Sequence, residues 1–272
     1  LHRGCPQFRS NPTRRWYEFR GEWCNLGCAQ CKQQYNGDTA VALGEIGLQR
    51  IEGADEVDEE QLAQMLCELG SAYLDDGDAN RARELLERAL TITERTYGPD
   101  HADVAAVLGD LGKAFIDLGD ANRAREMLER ALIIQENTYG RDHRSVEKTL
   151  RNLGNAYVAS GDANRARELL ERALAIEERT YGADHVGVAI TLANLGDVFR
   201  ELGDSNRARG LLERALAIDE RTFGADHDKV ATTLRHLGRG YLKLGDAYRS
   251  VGLLERALAI RERSYGADHD QV

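Results

Sequence analysis

The chain has 272 residues, 42% of them apolar and 30% charged, a balance expected of a soluble protein with a buried core. No run approaches the roughly 18 uninterrupted apolar residues of a membrane-spanning helix, so membrane insertion is not expected. The net charge of -10 repels phosphate backbones and anionic lipid, which argues against nucleic acid as a partner.

Residues 1–60 read as a basic N-terminal segment with a degenerate capping hairpin and an acidic connector. Residues 1–36 carry six Lys/Arg against Glu18 and Glu22, a charge of +4 that leaves -14 on the remainder. Four of the five cysteines lie here, and Cys24-x3-Cys28-x2-Cys31 resembles the iron–sulfur motif of radical S-adenosylmethionine enzymes. The strand pattern of their barrels is missing, and the i, i+4, i+7 spacing places three small apolar side chains on one buried helical face. A zinc site with Cys5 as fourth ligand is the alternative use of Cys24, Cys28 and Cys31; no cofactor is expected. An odd number of cysteines does not make a secreted disulfide framework, so an intracellular, cytoplasmic setting is expected. An organelle is the alternative if the Arg-rich start adjoined a removed leader. Gly37-Asp38 followed by AVALGEIGLQRI resembles a worn second helix of a hairpin, with WYEFRGEWCNLGCAQCKQQY as its first. The acidic stretch from Glu52 to Glu60 then opens a helix whose dipole favours negative charge.

From Gln61 the chain repeats every 42 residues: Gly70, Gly112, Gly154, Gly196 and Gly238 recur in step, as do His101, His143, His185, His227 and His269. Five units follow, 61–101, 102–143, 144–185, 186–227 and 228–269, and then the start of a further helix. In the third unit Val146, Leu150, Leu153, Ala156 and Tyr157 form one helical face, and Ala166, Leu169, Leu170, Ala173 and Ile176 form another. Gly161 is placed to end the first helix in the left-handed conformation and Asp162 to cap the second. Gly154 and Ala166 are small where helix backbones approach, and Tyr157 supplies bulk for a neighbouring hairpin to cover. One hairpin cannot bury both faces, so the units must stack. The histidines, one per unit, are too far apart to share an ion and are expected to close the connector and cap the following helix.

The spacing Leu150, Leu153-Gly154, Tyr157, Ala166, Leu170, Ala173 resembles the tetratricopeptide repeat (TPR) signature, and the YGxDH connector is similar to the 42-residue variant of kinesin light chains. The resemblance implies an all-α, right-handed superhelical TPR solenoid in which the first helix of each hairpin lines a concave groove. It also implies a non-enzymatic scaffold for protein–protein interaction. No nucleophile–base pair, phosphate loop or carboxylate pair stands outside the repeat, so no enzyme is expected.

Groove positions in units three to five carry Lys148, Arg151, Asn152, Asn155, Asn194, Arg200, Arg235, His236 and Arg239, a mainly basic lining in an acidic molecule. Arg and Lys suit the carboxylates of an extended acidic peptide, while Asn can both donate to and accept from its backbone. Arg151, Asn155 and Asn194 resemble the carboxylate clamp of chaperone-binding TPR proteins, from which Thr232 and His236 depart. Asn152 and Asn194 stand where kinesin light chains use groove asparagines. The alternative is a constitutive subunit of a larger assembly, with further repeats or a neighbouring subunit covering the C-terminal face.

Overall fold

The computed structural model describes residues 38–265. Their helices are α1 (Asp38–Glu52), α2 (Glu59–Asp76), α3 (Ala79–Tyr97), α4 (Ala102–Asp117), α5 (Ala121–Tyr139), α6 (Glu147–Ala159), α7 (Ala163–Tyr181), α8 (Val186–Glu201), α9 (Ser205–Phe223), α10 (Asp228–Lys243) and α11 (Ala247–Tyr265). A 3-10 turn, Arg144–Val146, leads into α6. No strand occurs among the described residues, and the hairpins fall in the order that the 42-residue period predicts. The N-terminal cysteines and the first helix expected before Gly37 lie outside the described residues, as does His269.

Two kinds of turn repeat. Within hairpins, Gly77, Gly119, Gly161, Gly203 and Gly245 have φ between +78° and +90°, a region that side chains resist. The aspartate after each glycine accepts a hydrogen bond from the N–H three residues on, as Asp162 does from Arg165. Between hairpins the histidines serve as expected. His101, His143, His185 and His227 accept through Nδ1 the N–H two residues ahead, at 3.1–3.3 Å. Each imidazole also stacks on the aromatic ring four residues before it, with centroids 4.7–5.1 Å apart.

Core packing explains the Leu-Gly dipeptide. A Cβ on Gly70, Gly112, Gly154 or Gly196 would stand 2.4–2.7 Å from Cγ of Leu86, Leu128, Leu170 or Leu212. All four leucines are fully buried. Gly154 therefore makes room for Leu170, while Ala166 is buried separately. Tyr157 is also held by its own hairpin, with Arg165 stacked 5.6 Å from the ring centroid and donating to the hydroxyl at 3.0 Å, while Tyr241 at the same register packs on Leu212 and donates to Glu213 of the preceding hairpin.

Contacts divide the chain into two compact units, Leu1–Ile134 and Gln135–Val272. In the first, α1 packs on α2, and Val104, Ala105 and Leu108 of α4 enclose Ala131 and Ile134 of α5. In the second, Val188, Ala189 and Leu192 of α8 pack with Ala215 and Ile218 of α9, and the pattern recurs between α10 and α11. There the backbones of α6 and α10 both approach α8, whereas among the described residues α7, α9 and α11 reach one another only through long side chains. First helices thus form the inner row of this unit.

The arginines of the ERAL stretches link consecutive hairpins rather than merely coating the surface. Arg214 reaches back to Glu178 at 2.6 Å and to the Ala183 carbonyl at 2.9 Å. Arg256 does the same with Glu220 at 2.7 Å and Ala225 at 3.0 Å, and Arg172 with Glu136 at 2.6 Å and the Arg141 carbonyl.

Candidate functional site on the first-helix row

The row of α6, α8 and α10 displays the side chains that depart from the repeat, because the second helices and the core bind the residues that recur. Successive positions on each helix fall one turn apart. Lys148, Asn152 and Asn155 share a stripe on α6, Ile190, Asn194 and Asp197 one on α8, and Thr232, His236 and Arg239 one on α10. Lys148, Arg235 and Arg239 are exposed, while Asn152, Asn155, Asn194, Arg200 and His236 are half-buried.

Three of the expected cations are engaged internally. Arg151 is only 17% exposed and places Nη1 2.6 Å from Oε1 of Glu177 and 3.6 Å from Oε2 of Glu147. Arg200 and His236 converge on Asp197, whose Oδ1 lies 2.8 Å from Arg200 Nη2 and whose Oδ2 lies 2.5 Å from His236 Nδ1. Burial pushes the Asp197 carboxyl up, but His236 and Arg200 outweigh it and hold the carboxyl below its ordinary value. This contact joins α8 to α10 at the register where Ser71 of α2 donates to Asp110 of α4, at 2.9 Å. The same pair of positions thus bridges neighbouring first helices in both units. Arg235 and Arg239 differ: neither has an ion pair or hydrogen bond among the described residues. Leu242, one turn beyond Arg239, is 59% exposed, and Ile190 on α8 is 43% exposed.

Asn152 tucks its amide inward, and its buried Nδ2 finds no acceptor. Glu147, Glu177 and Asp197 are the residues that govern the row's charge, and a list of groove-facing cations misses their effect. Their signal lies in the register: Glu177 aligns with Thr93, Gln135, Asp219 and Arg261, a varying polar site inside an otherwise repetitive helix. Among the described residues no group of three or more His, Cys, Asp or Glu is placed to hold a metal ion, and no helix is long and apolar enough to cross a membrane.

The family profile described as tetratricopeptide repeat matches residues 61–137, 116–176, 145–221 and 206–263. The chain belongs to the tetratricopeptide repeat family. Such repeats generally hold protein partners and are generally not enzymes. Among solved structures, a putative kinesin light chain with nearly identical TPR-like repeats from Podosopora anserina is 28% identical, with a TM-score of 0.61 over 76% of this chain and 98% of that one. BtubC (BKLC) from P. vanneervenii is 22% identical, with a TM-score of 0.66 over 85% of this chain and 93% of that one. A Rap protein complexed with competence and sporulation factor is 16% identical, with a TM-score of 0.68 over 87% of this chain and 68% of that one. The last two share the fold. No curated protein matches the chain by sequence.

Proposed function

We propose that this TPR chain is a non-enzymatic interaction scaffold whose first-helix row, α6, α8 and α10, holds an extended acidic segment of a protein partner. The observation that carries the reading is the pair Arg235 and Arg239, exposed one turn apart on α10 and without a carboxylate partner among the described residues. With Lys148 at the far end of the row, they set a positive lining against a chain of net charge -10. Asn155 and Asn194, half-buried between them, can meet the main chain of the bound segment.

Neighbouring helices lie roughly 10 Å apart, so three span about 20 Å, the length of about six extended residues. Ile190 and Leu242 give that segment an apolar foothold between its carboxylate contacts. Arg151 joins only when it leaves Glu177. Arg200 and His236 act instead on Asp197, which ties α8 to α10 and keeps the row in register.

The test is fluorescence anisotropy with a labelled, amidated six-residue peptide of Asp and Glu containing one Leu. Replacing Arg235 and Arg239 together by Ala should weaken binding by roughly tenfold, as loss of two partly exposed charge contacts implies, with unchanged helicity. Affinity should fall as salt rises. Equal affinity for the variant and the parent would overturn the assignment.

A further inference from the structure

The third repeat contains a charged cluster that the others lack. At the register of Glu147 they carry Ala63, Ala105, Ala189 and Ala231, all buried. At the register of Arg151 they carry Cys67, Gly109, Ala193 and Arg235, and at that of Glu177 they carry Thr93, Gln135, Asp219 and Arg261. Among the described residues, these three positions bring two carboxyls and one guanidinium together only in the third repeat. Glu177 on α7 is 0% exposed and lies between α6 and α8, so its charge has no access to water.

The groups around it are few. From α6 come Arg151, 2.6 Å away, and Glu147, itself 3.6 Å from Arg151. From α8 comes the hydroxyl of Thr191, and the cap of that helix brings His185, whose Nδ1 is occupied by the Gly187 N–H at 3.1 Å. Glu177 Oε2 and Thr191 Oγ1 are both buried, and apart from Thr191 and Glu147 around the Glu177 carboxyl no other group among the described residues satisfies them. Two ionised carboxyls and one guanidinium leave a net negative charge in the interior, and one bound proton removes it.

We propose that Glu147, Arg151 and Glu177 form a proton-operated latch on the acidic-peptide groove: protonated Glu177 lets Arg151 turn into the groove, and ionised Glu177 holds it inside. This rests on the groove reading above. Arg151 already stands at the edge of the interior, so a change of side-chain rotamer is enough to bring it out. With Glu177 neutral, Arg151 keeps only the more distant Glu147 as a charged partner. With both carboxyls ionised, a peptide carboxylate must compete against two negative charges. Burial, followed by the neighbouring Glu147 carboxyl, pushes Glu177 up to about 8, against the opposing pull of Thr191 and Arg151. The latch therefore works between pH 7 and pH 9, where ordinary Asp, Glu and Arg side chains do not change charge. Cys67, raised to about 12 by burial and then by Asp110, Glu68 and Asp103, stays neutral throughout this range.

The experiment uses the full chain and the acidic peptide with its N-terminus acylated by the label, so that the peptide does not titrate above pH 7. The competent fraction scales the apparent affinity, so Kd for the parent protein should rise about tenfold from pH 7 to pH 9. Glu177→Gln carries the neutral form permanently, and its affinity should stay flat at the pH 7 level. Glu147→Ala restores the residue of the other repeats and leaves Glu177 paired one-to-one with Arg151, so the midpoint should move to lower pH. A slope unchanged in Glu177→Gln, or a midpoint unmoved in Glu147→Ala, would overturn the latch while leaving the groove standing. Absence of peptide binding at every pH in the parent and in both variants would overturn the groove and the latch together.

Discussion

Replacing Gly196 by Ala tests the packing rule on which the whole stack depends. The added methyl carbon would stand 2.6 Å from Cγ of Leu212, 2.9 Å from Cδ2 and 3.1 Å from Cδ1. Carbon atoms in good contact sit about 3.5–4.0 Å apart. Leu212 is fully buried beside Leu237 and Tyr241, so it cannot swing into solvent to relieve the clash. Overpacking of this kind costs about 1–3 kcal/mol, and the better helix propensity of alanine offsets up to about 1 kcal/mol of it. A net loss of roughly 1–2 kcal/mol lowers the midpoint of thermal unfolding by roughly 3–6 °C for a chain of this size. Gly210 supplies the internal control, because it lies exposed on α9 with nothing within 4 Å of where a Cβ would be. Gly210→Ala should therefore stabilise by about 0.5–1 kcal/mol. Circular dichroism melts of the two variants, checked by urea unfolding, decide the matter. If Gly196→Ala melts at or above the parent, close helix approach is not what the Leu-Gly dipeptide serves.

The connector caps and the Asp197 contact make two further claims. His185→Ala should cost about 0.5–2 kcal/mol and speed hydrogen exchange at the Gly187 amide, whereas His185→Asn, which keeps an acceptor at the cap, should recover most of the loss. Asp197 has a folded-state pKa below its unfolded value, so its contribution is present above the ordinary carboxylate range and is lost as pH falls through the folded value. The difference in urea midpoint between the parent and Asp197→Asn should accordingly be full at pH 5 and shrink on acidification; a constant difference would contradict the pairing. Glu177 has the opposite sign. Burial raises its folded pKa from the ordinary carboxylate range to about 8, so the stability it contributes is fully present below the ordinary range and is lost by the time pH passes about 8. The parent should lose stability relative to Glu177→Gln from about pH 4.5 up to about pH 8 and change no further above it, measured by the same melts.

The 42-residue period, the hairpins and both kinds of turn were legible from residue order alone. Each depends on contacts a few residues apart: glycine at positive φ, aspartate or histidine on a helix N-terminus, apolar side chains at helical spacing. The positions along the first helices at which the units differ were legible too. Their charge was not. Arg151 reads as a groove cation until Glu177, 26 residues later, is seen to rise beside it from the adjacent helix, 2.6 Å away. Arg200 and His236 likewise read as two positive charges until Asp197 is found between them. Local spacing determines which face of a helix a side chain occupies, because the helix period is a property of the backbone. Whether a charge on that face is free or cancelled depends on which helices pack together and how far a long side chain reaches, and only the tertiary structure decided that.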